Sequence, residues 1–262
     1  MSGYLFKRIL LTNDDGFGAP GLVVLERIAA RLAEEVWVVA PEHDRSGAGQ
    51  SISLHTPLRL YQHGERRYAL SGTPADCVFF ALGELMNQNP PELVLSGVNC
   101  GANISDSVQY SGTVGAVLAA EHMGLPAIAL SQAYFDRDLL DWSPVETYAE
   151  PLIRELWQHS APNCCWSLNF PACAASVIRH ARLTQPAQGS IRRPRLRAGE
   201  DSRGLPYWWL GFERDSKHIL AREADVTALR EQCISVSPLR NARGWPASGD
   251  TRSTSELAGK AE

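Results

Sequence analysis

The 262-residue chain lacks the features that mark several classes of protein. Its six cysteines form no CxxC pair, and no His/Cys cluster has zinc-finger spacing, which argues against structural zinc. No apolar run approaches the ~20 residues that a membrane-spanning helix needs, and the first residues lack the apolar core of a signal peptide. We therefore expect a cytoplasmic protein with free thiols and no membrane partner.

An excess of basic charge is also missing. The formal net charge is −4 and the pI is about 6.0, so no global positive field is available to hold a nucleic-acid duplex. A negatively charged ligand would need a cation close to its binding site. The hydrophobic share of 44% and the charged share of 21% are ordinary for a globular chain of one large domain.

The first two-thirds of the chain alternates strand and helix signals. Apolar runs at 9–12 and 36–40 flank a helical spacing that starts at Pro20, the signature of a parallel βαβ unit. Further strands are predicted at 58–62, 66–70, 93–96 and 127–130, and helices at 73–86, 111–124 and 144–158. This alternation predicts an α/β fold, a doubly wound domain with a mostly parallel sheet between helical layers.

The pattern changes after about residue 170. Residues 180–222 are rich in Arg, with strand-like pieces at "RLTQP" and "YWWLGFE", and predict an extended antiparallel β-arm. A short helix at "DVTALREQ" and a last strand at "CISVSPL" follow. We expect one domain over 1–240, with a core to about 175 and the arm over about 176–240. The polar residues 241–262 are expected to form a disordered tail.

Polar residues follow three of the predicted strands. Asp14 and Asp15 come after the first strand, Ser46 after the second and Asn99 after the strand at 93–96. The carboxyl ends of parallel strands meet at one edge of a sheet, and an all-oxygen ligand set suits Mg²⁺ or Mn²⁺. Alone, each residue is also consistent with a turn, a helix cap or an ordinary loop. Their coincidence at one sheet edge favours a metal site.

The stretch "YSGTVGA" at 110–116 is a second candidate element. Backbone amides at a helix start, with the hydroxyls of Ser111 and Thr113, form a natural cradle for an anion, and Asn103 could donate to the same anion. A capped, tightly packed helix is the alternative. Three lone histidines are candidate general acids, although such residues are more often structural or exposed: His43, His55 and His122.

Several ordered segments of the sequence resemble one known family. "LLTNDDGFGAPG", "VVAPEHDRSGAGQSIS", "LSGTPADCV", "LVLSGVNCGAN" and "SGTVGAVLAA", followed by "LNFP" and "ADVTALREQCISVSPL", are similar to the blocks of the SurE (stationary-phase survival protein) family. The resemblance covers about residues 8–239. It implies a Rossmann-like three-layer αβα core and a metal-dependent phosphomonoesterase acting on nucleoside 5′-monophosphates. It also implies activity in some members on 3′-nucleotides and short polyphosphate.

The resemblance carries over site residues and an assembly. It implies that one divalent cation per subunit, Mg²⁺ or Mn²⁺, is bound by Asp14, Asp15, Ser46 and Asn99. It implies that phosphate is contacted by Asn99 and by Ser111, Gly112 and Thr113. It further implies a homodimer or homotetramer in which subunits exchange the C-terminal arm. Residues 186–206 match no pattern of the family, and those after 240 look additional, which leaves base preference and assembly open.

The mechanism we predict is hydrolysis by a water that the metal activates, with the amides and hydroxyls of 111–113 holding the phosphoryl oxygens. Either aspartate could take the proton of the water, and no general acid for the leaving oxygen is identified. Two alternatives remain. Asp14 or Asp15 could be a nucleophile, although such phosphatases usually space their acids as D-x-D. The chain could also bind nucleotides without turnover.

Overall fold

The computed structural model describes residues 3–188, 191–214 and 221–241. Within these ranges five α-helices are present: α1 (Pro20–Ala29), α2 (Pro74–Phe80), α3 (Gly112–His122), α4 (Ser143–His159) and α5 (Asp225–Arg230). The strands of the same ranges are β1 (Phe6–Thr12), β2 (Ala33–Pro41), β3 (Leu60–Gly64), β4 (Arg67–Leu70), β5 (Leu93–Cys100), β6 (Ala127–Gln132), β7 (Cys165–Phe170), β8 (Ala181–Leu183), β9 (Ile191–Glu200), β10 (Pro206–Arg214) and β11 (Ile234–Leu239).

Nine of these strands form one sheet in the order β3-β4-β2-β1-β5-β6-β7-β11-β8. The six strands from β4 to β7 run parallel, and β3 and β11 pair antiparallel with β4 and β7. The chain passes from β1 to β2 on one side and later returns to β5 on the other side of β1. This reversal of strand order is where open α/β sheets bind ligands.

Helices cover both faces of the sheet. One apolar layer joins the sheet to α1 and α4 through fully buried residues such as Leu25 and Ile153. The second layer joins it to α2 and α3 through Val78 and Val117. The mostly parallel α/β fold with three layers is therefore confirmed. Among the described residues, no helix combines the length and the apolar character needed to cross a membrane.

The start of α2 follows the sequence prediction closely. Thr73 is the N-cap, its hydroxyl accepts from the Asp76 amide, and the Asp76 carboxylate accepts from the Thr73 amide, completing a capping box. The α-helix ends at Phe80, however, and a short π-helical turn continues it through 81–85. The predicted helix at 73–86 is thus two segments.

The strands of the structure differ from the predicted strands in three places. The strand expected at 93–96 continues as β5 to Cys100, with a register shift against β6 between Ser96 and Asn99, so Asn99 lies inside a strand. Strand β7 was not predicted. Within 180–222, β8 belongs to the main sheet, where it runs parallel to β11.

Strands β9 and β10 form a separate two-stranded antiparallel hairpin. This hairpin confirms the predicted C-terminal antiparallel extension. Of the expected tail, Asn241 is the one described residue, and its amide groups donate to the Glu121 carboxylate and the Leu118 carbonyl. The rest of the predicted tail, 242–262, lies outside the described residues.

Candidate active site

The first two site residues follow β1, the central strand at the reversal point. Asp14 is buried, with 3% of its surface exposed, while Asp15 is partly exposed. The Asp14 carboxylate accepts a hydrogen bond from the Thr113 hydroxyl (2.6 Å), and the Asp15 carboxylate accepts one from the Cys100 amide (2.9 Å). The adjacent carboxyl groups are therefore aimed at two different elements, α3 and the end of β5.

The pKa values of both carboxyl groups are raised. Burial, opposed by the Thr113 hydrogen bond, raises the pKa of Asp14 to about 6, and the charge of Asp15 adds to the shift. Burial also raises the pKa of Asp15, opposed first by the hydrogen bond from Cys100. Among the described residues neither carboxylate has a Lys or Arg ion-pair partner within 4 Å. A cation bound between them would relieve this charge.

The other two predicted ligands each adjoin a residue whose backbone amide donates to one of the aspartates. The Arg45 amide donates to the Asp14 carbonyl (2.7 Å), which holds the neighbouring Ser46, an exposed residue, beside the end of β1. Asn99 precedes Cys100, whose backbone amide donates to Asp15. The side-chain nitrogen of Asn99 donates to the Gly101 carbonyl (2.8 Å). That bond fixes the side-chain amide and leaves its oxygen as the group available to a cation.

These four side chains fit a hard divalent cation by their chemistry. Two carboxylates, one hydroxyl and one amide oxygen form an all-oxygen set. The described part of the chain contains no group of three or more His, Cys, Asp or Glu side chains that could hold a metal ion. A metal here would therefore depend on the neutral oxygens of Ser46 and Asn99 as well as on the two carboxylates.

The predicted anion cradle lies against Asp14. Ser111 is the N-cap of α3, where its hydroxyl accepts from the Val114 amide (3.1 Å) and keeps its own hydrogen to donate. A Cβ atom on Gly112 would lie 2.7 Å from the Asp14 Cβ, so only glycine fits at this first helical position. The start of α3, where helices bind anions, thus packs directly against Asp14.

Two predicted phosphate contacts have other partners in the structure. The Asn103 side-chain nitrogen donates to the hydroxyls of Thr113 (3.1 Å) and Ser131 (2.9 Å), which uses both of its hydrogens. The Thr113 hydroxyl donates to Asp14. Asn103 therefore supports Thr113, and through it Asp14, in place of the direct anion contact we predicted. The Thr113 backbone amide is directed at the same carboxylate, whose pKa it lowers.

A buried polar chain continues behind these residues. The Asn103 backbone amide donates to the Asn169 side chain (2.8 Å), and the Asn169 nitrogen donates back to the Asn103 carbonyl (3.2 Å). Asn169 lies on β7, in the "LNFP" segment. The three histidines considered as acids are all exposed and none contacts Asp14 or Asp15 in the described structure: His43, His55 and His122.

Sequence reasoning missed Arg137. It lies in the 3₁₀ turn Arg137–Leu139 after β6, and its positive charge lowers the pKa of Asp15. The sequence carries one signal for it, the need for a local cation in an acidic chain that binds an anion. No periodicity points to this position.

Comparison with known proteins identifies similar sequences and a similar structure. A family model described as "Survival protein SurE" matches residues 9–193. A 5′-nucleotidase SurE of Brucella anthropi is 48% identical over 237 residues, covering 88% of this chain and 90% of that protein. A 5′-nucleotidase SurE 1 of Burkholderia lata is 43% identical over 243 residues, covering 91% and 92%. The crystal structure of a SurE protein from Aquifex aeolicus superposes with a TM-score of 0.74 at 28% identity, covering 88% of this chain and 92% of that one.

Proposed function

Because the chain belongs to the SurE family, we propose that it is a 5′-nucleotidase that hydrolyses nucleoside 5′-monophosphates to nucleoside and phosphate. The observation that carries this proposal is the junction of the carboxyl pair Asp14 and Asp15 with the start of α3, at the strand-order reversal. The 3′-nucleotides and short polyphosphate are further candidate substrates, since they offer the same terminal phosphoryl group.

The activity we propose depends on one divalent cation, Mg²⁺ or Mn²⁺, held by Asp14, Asp15, Ser46 and Asn99. Such an ion, when bound, supplies positive charge to the phosphoryl group and makes water more acidic. Support comes from the donor set and from the raised pKa values of the two carboxyl groups.

The residues of the chain have separate tasks in this mechanism. The Ser111 hydroxyl and the Gly112 amide bind the phosphoryl oxygens at the start of α3 and stabilise their charge during transfer. Asn103 holds Thr113, and Thr113 holds the Asp14 carboxylate in one orientation. Either aspartate can accept the proton of the attacking water.

Phosphate release from AMP tests the function. The protein is treated with EDTA, dialysed and assayed alone and with Mg²⁺ or Mn²⁺, while metal binding is measured separately by titration calorimetry. We expect turnover to vanish on chelation and to return with metal. Metal-dependent binding of AMP without phosphate release would favour the nucleotide-binding alternative, and undiminished turnover after exhaustive chelation would refute the metal site.

Isotope labelling separates direct water attack from an aspartyl intermediate. In a single turnover in ¹⁸O-water, direct attack places the label in the released phosphate alone. Label in the carboxylate of Asp14 or Asp15 would support the nucleophile alternative. A panel of nucleotides and polyphosphate at one fixed metal concentration then defines the substrate range.

We also propose that the chain forms a homodimer or homotetramer that exchanges its C-terminal arm, about 176–240, and works in the cytoplasm. The β9–β10 hairpin supports exchange, because Trp208, Trp209 and Leu210 are each more than half exposed on it. All six cysteines are free, which suits a reducing compartment.

A further inference from the structure

The charges of the proposed site do not balance once substrate is bound. A divalent cation offsets the two carboxylates, and a nucleotide then brings a phosphate group of about two further negative charges. The side-chain donors nearest to Asp14 are already used, because Thr113 donates to Asp14 and Asn103 donates to Thr113 and Ser131. A positively charged side chain at the rim would complete the site.

Arg137 lies at that rim because of the way β6 ends. The last residue of β6, Gln132, pairs with Cys100, and the Gly101 amide donates to its carbonyl (2.9 Å), so the following loop starts beside the end of β5. The ring of Tyr134 lies against Gly101, with an edge atom 3.6 Å from where a Cβ would stand. The 3₁₀ turn Arg137–Leu139 begins three residues after Tyr134.

The guanidinium of Arg137 reaches the catalytic edge. Its positive charge opposes the rise in pKa of both the Cys100 thiol and the Asp15 carboxyl group, which places it near these two side chains. Cys100 is the residue whose amide donates to Asp15 and lies next to Asn99. The charge of Arg137 therefore acts on Asp15 and on Cys100, the residue that follows Asn99.

The remaining donors of Arg137 are open to a ligand. A guanidinium has five N–H donors in a planar fork that matches two oxygens of one phosphate. No acidic side chain of the described residues forms a salt bridge with Arg137 within 4 Å, and the residue is exposed. Its neighbour Asp136 instead caps the turn by accepting from the Asp138 amide.

We propose that Arg137 binds the phosphate of the substrate from the exposed rim of the site, in addition to the contacts that the start of α3 makes. This assignment rests on the proposed nucleotidase function and adds to it a residue that recognises the phosphate by charge and shape. The contact forms with substrate and with the inorganic phosphate product alike. It acts chiefly on binding, since the charge on the phosphate is present before and during transfer.

The variants Arg137→Ala and Arg137→Lys test the proposal, with Arg8→Ala as the matched control. Arg8 is also an arginine of the described surface, but it hydrogen-bonds Asn89 next to the start of β5, at the opposite edge of the sheet. We expect Arg137→Ala to raise the KM for AMP and the inhibition constant of inorganic phosphate about tenfold to a hundredfold, the usual cost of losing a charged hydrogen bond. Arg137→Lys should recover part of this loss, and Arg8→Ala should leave both constants unchanged.

Two results would overturn the assignment. KM and the phosphate inhibition constant within twofold of wild type in Arg137→Ala would show that the guanidinium does not contact phosphate. A fall in kcat alone would show that Arg137 acts only through Asp15. If wild-type protein released no phosphate from AMP, the proposed function would fail, and calorimetry with inorganic phosphate would still decide whether Arg137 binds it.

Discussion

Two β-structures of the same chain are stabilised in opposite ways. Strands β1 and β5 lie at the centre of the sheet, where Leu10 and Leu95 are fully buried between helical layers. Within the described ranges strands β9 and β10 pair only with each other, and Trp209 and Leu210 remain 69% and 64% exposed. The central strands are covered by helices on both faces, whereas the apolar side chains of the hairpin are left exposed.

The central strands gain free energy that the hairpin does not. Fully burying one leucine side chain is worth about 1.5–3 kcal/mol, and β1 and β5 contribute several such residues. This stability allows two adjacent acidic residues at the end of β1. A two-stranded hairpin on its own is marginal in water, so the proposed exchange between subunits would stabilise β9–β10 by covering its apolar face.

The largest effect is expected from the centre of the sheet. Asp14→Asn and Asp15→Asn should each lower kcat/KM for AMP by about a thousandfold or more, because a proposed metal ligand is lost. Circular dichroism should be unchanged. Glu34→Gln, which removes an exposed carboxylate on β2 at the opposite edge, is the control and should retain activity. Activity near wild type in either aspartate variant would contradict the site.

Gly112→Ala should have the next largest effect. Its Cβ would lie 2.7 Å from the Asp14 Cβ and 3.1 Å from Pro74, so α3 or Asp14 must shift. A displacement of this kind costs about a hundredfold in kcat/KM. Gly83→Ala adds a methyl group in open space and should leave activity unchanged, so equal activity of the two variants would show that the contact is unimportant.

A double substitution addresses the hairpin side of the comparison. Trp208→Ala with Trp209→Ala should weaken self-association by about tenfold or more, because large aromatic side chains dominate interfaces. Light scattering over a concentration series measures this. A chain ending after Asn241 is the control and should keep the size and activity of wild type. Wild-type protein that is monomeric at micromolar concentration would refute the proposed assembly.

The smallest effect is a pH-dependent change in stability of the metal-free protein. The pKa of Asp14 is raised from 3.8 to about 6 in the folded state, so protonation favours folding, and stability falls as pH rises through this range. Metal-free Asp14→Asn should therefore exceed wild type by on the order of 2 kcal/mol at pH 8 and by much less at pH 4. Thermal melts at both pH values measure it, and a pH-independent difference would contradict the raised pKa.

The sequence signals that succeeded are local ones. Thr73 and Asp76 are three residues apart and cap α2 at residue 73, where the helix is predicted to start. The aspartates follow a short buried strand, and strand order alone places the end of β1 beside that of β5. Such features depend on neighbouring residues and on general rules for parallel sheets, so one sequence suffices.

The features that were missed depend on distant pairing. Asn103 was expected to contact an anion because no local pattern shows that Ser131, 28 residues later, occupies its amide. Strand β8 joins the main sheet only through β11, which lies far along the chain. Arg137 lies in a short turn that no sequence period marks. It comes near Asp15 because β6, the strand before the turn, ends beside β5.

The 3₁₀ helix Ser105–Tyr110, which leads into the start of α3, is held by residues that are synthesised much later. The Ser105 amide donates to Asp225, 120 positions further on, and the Ile191 amide donates to Asp106. The ring of Tyr110 stacks on Phe212 (6.1 Å between ring centres). A nascent chain that has emerged only to about residue 175 contains Asp14, Asp15 and the α3 cradle but not these holding contacts. The contacts that hold this 3₁₀ helix therefore form only after residues 191–225 have been synthesised.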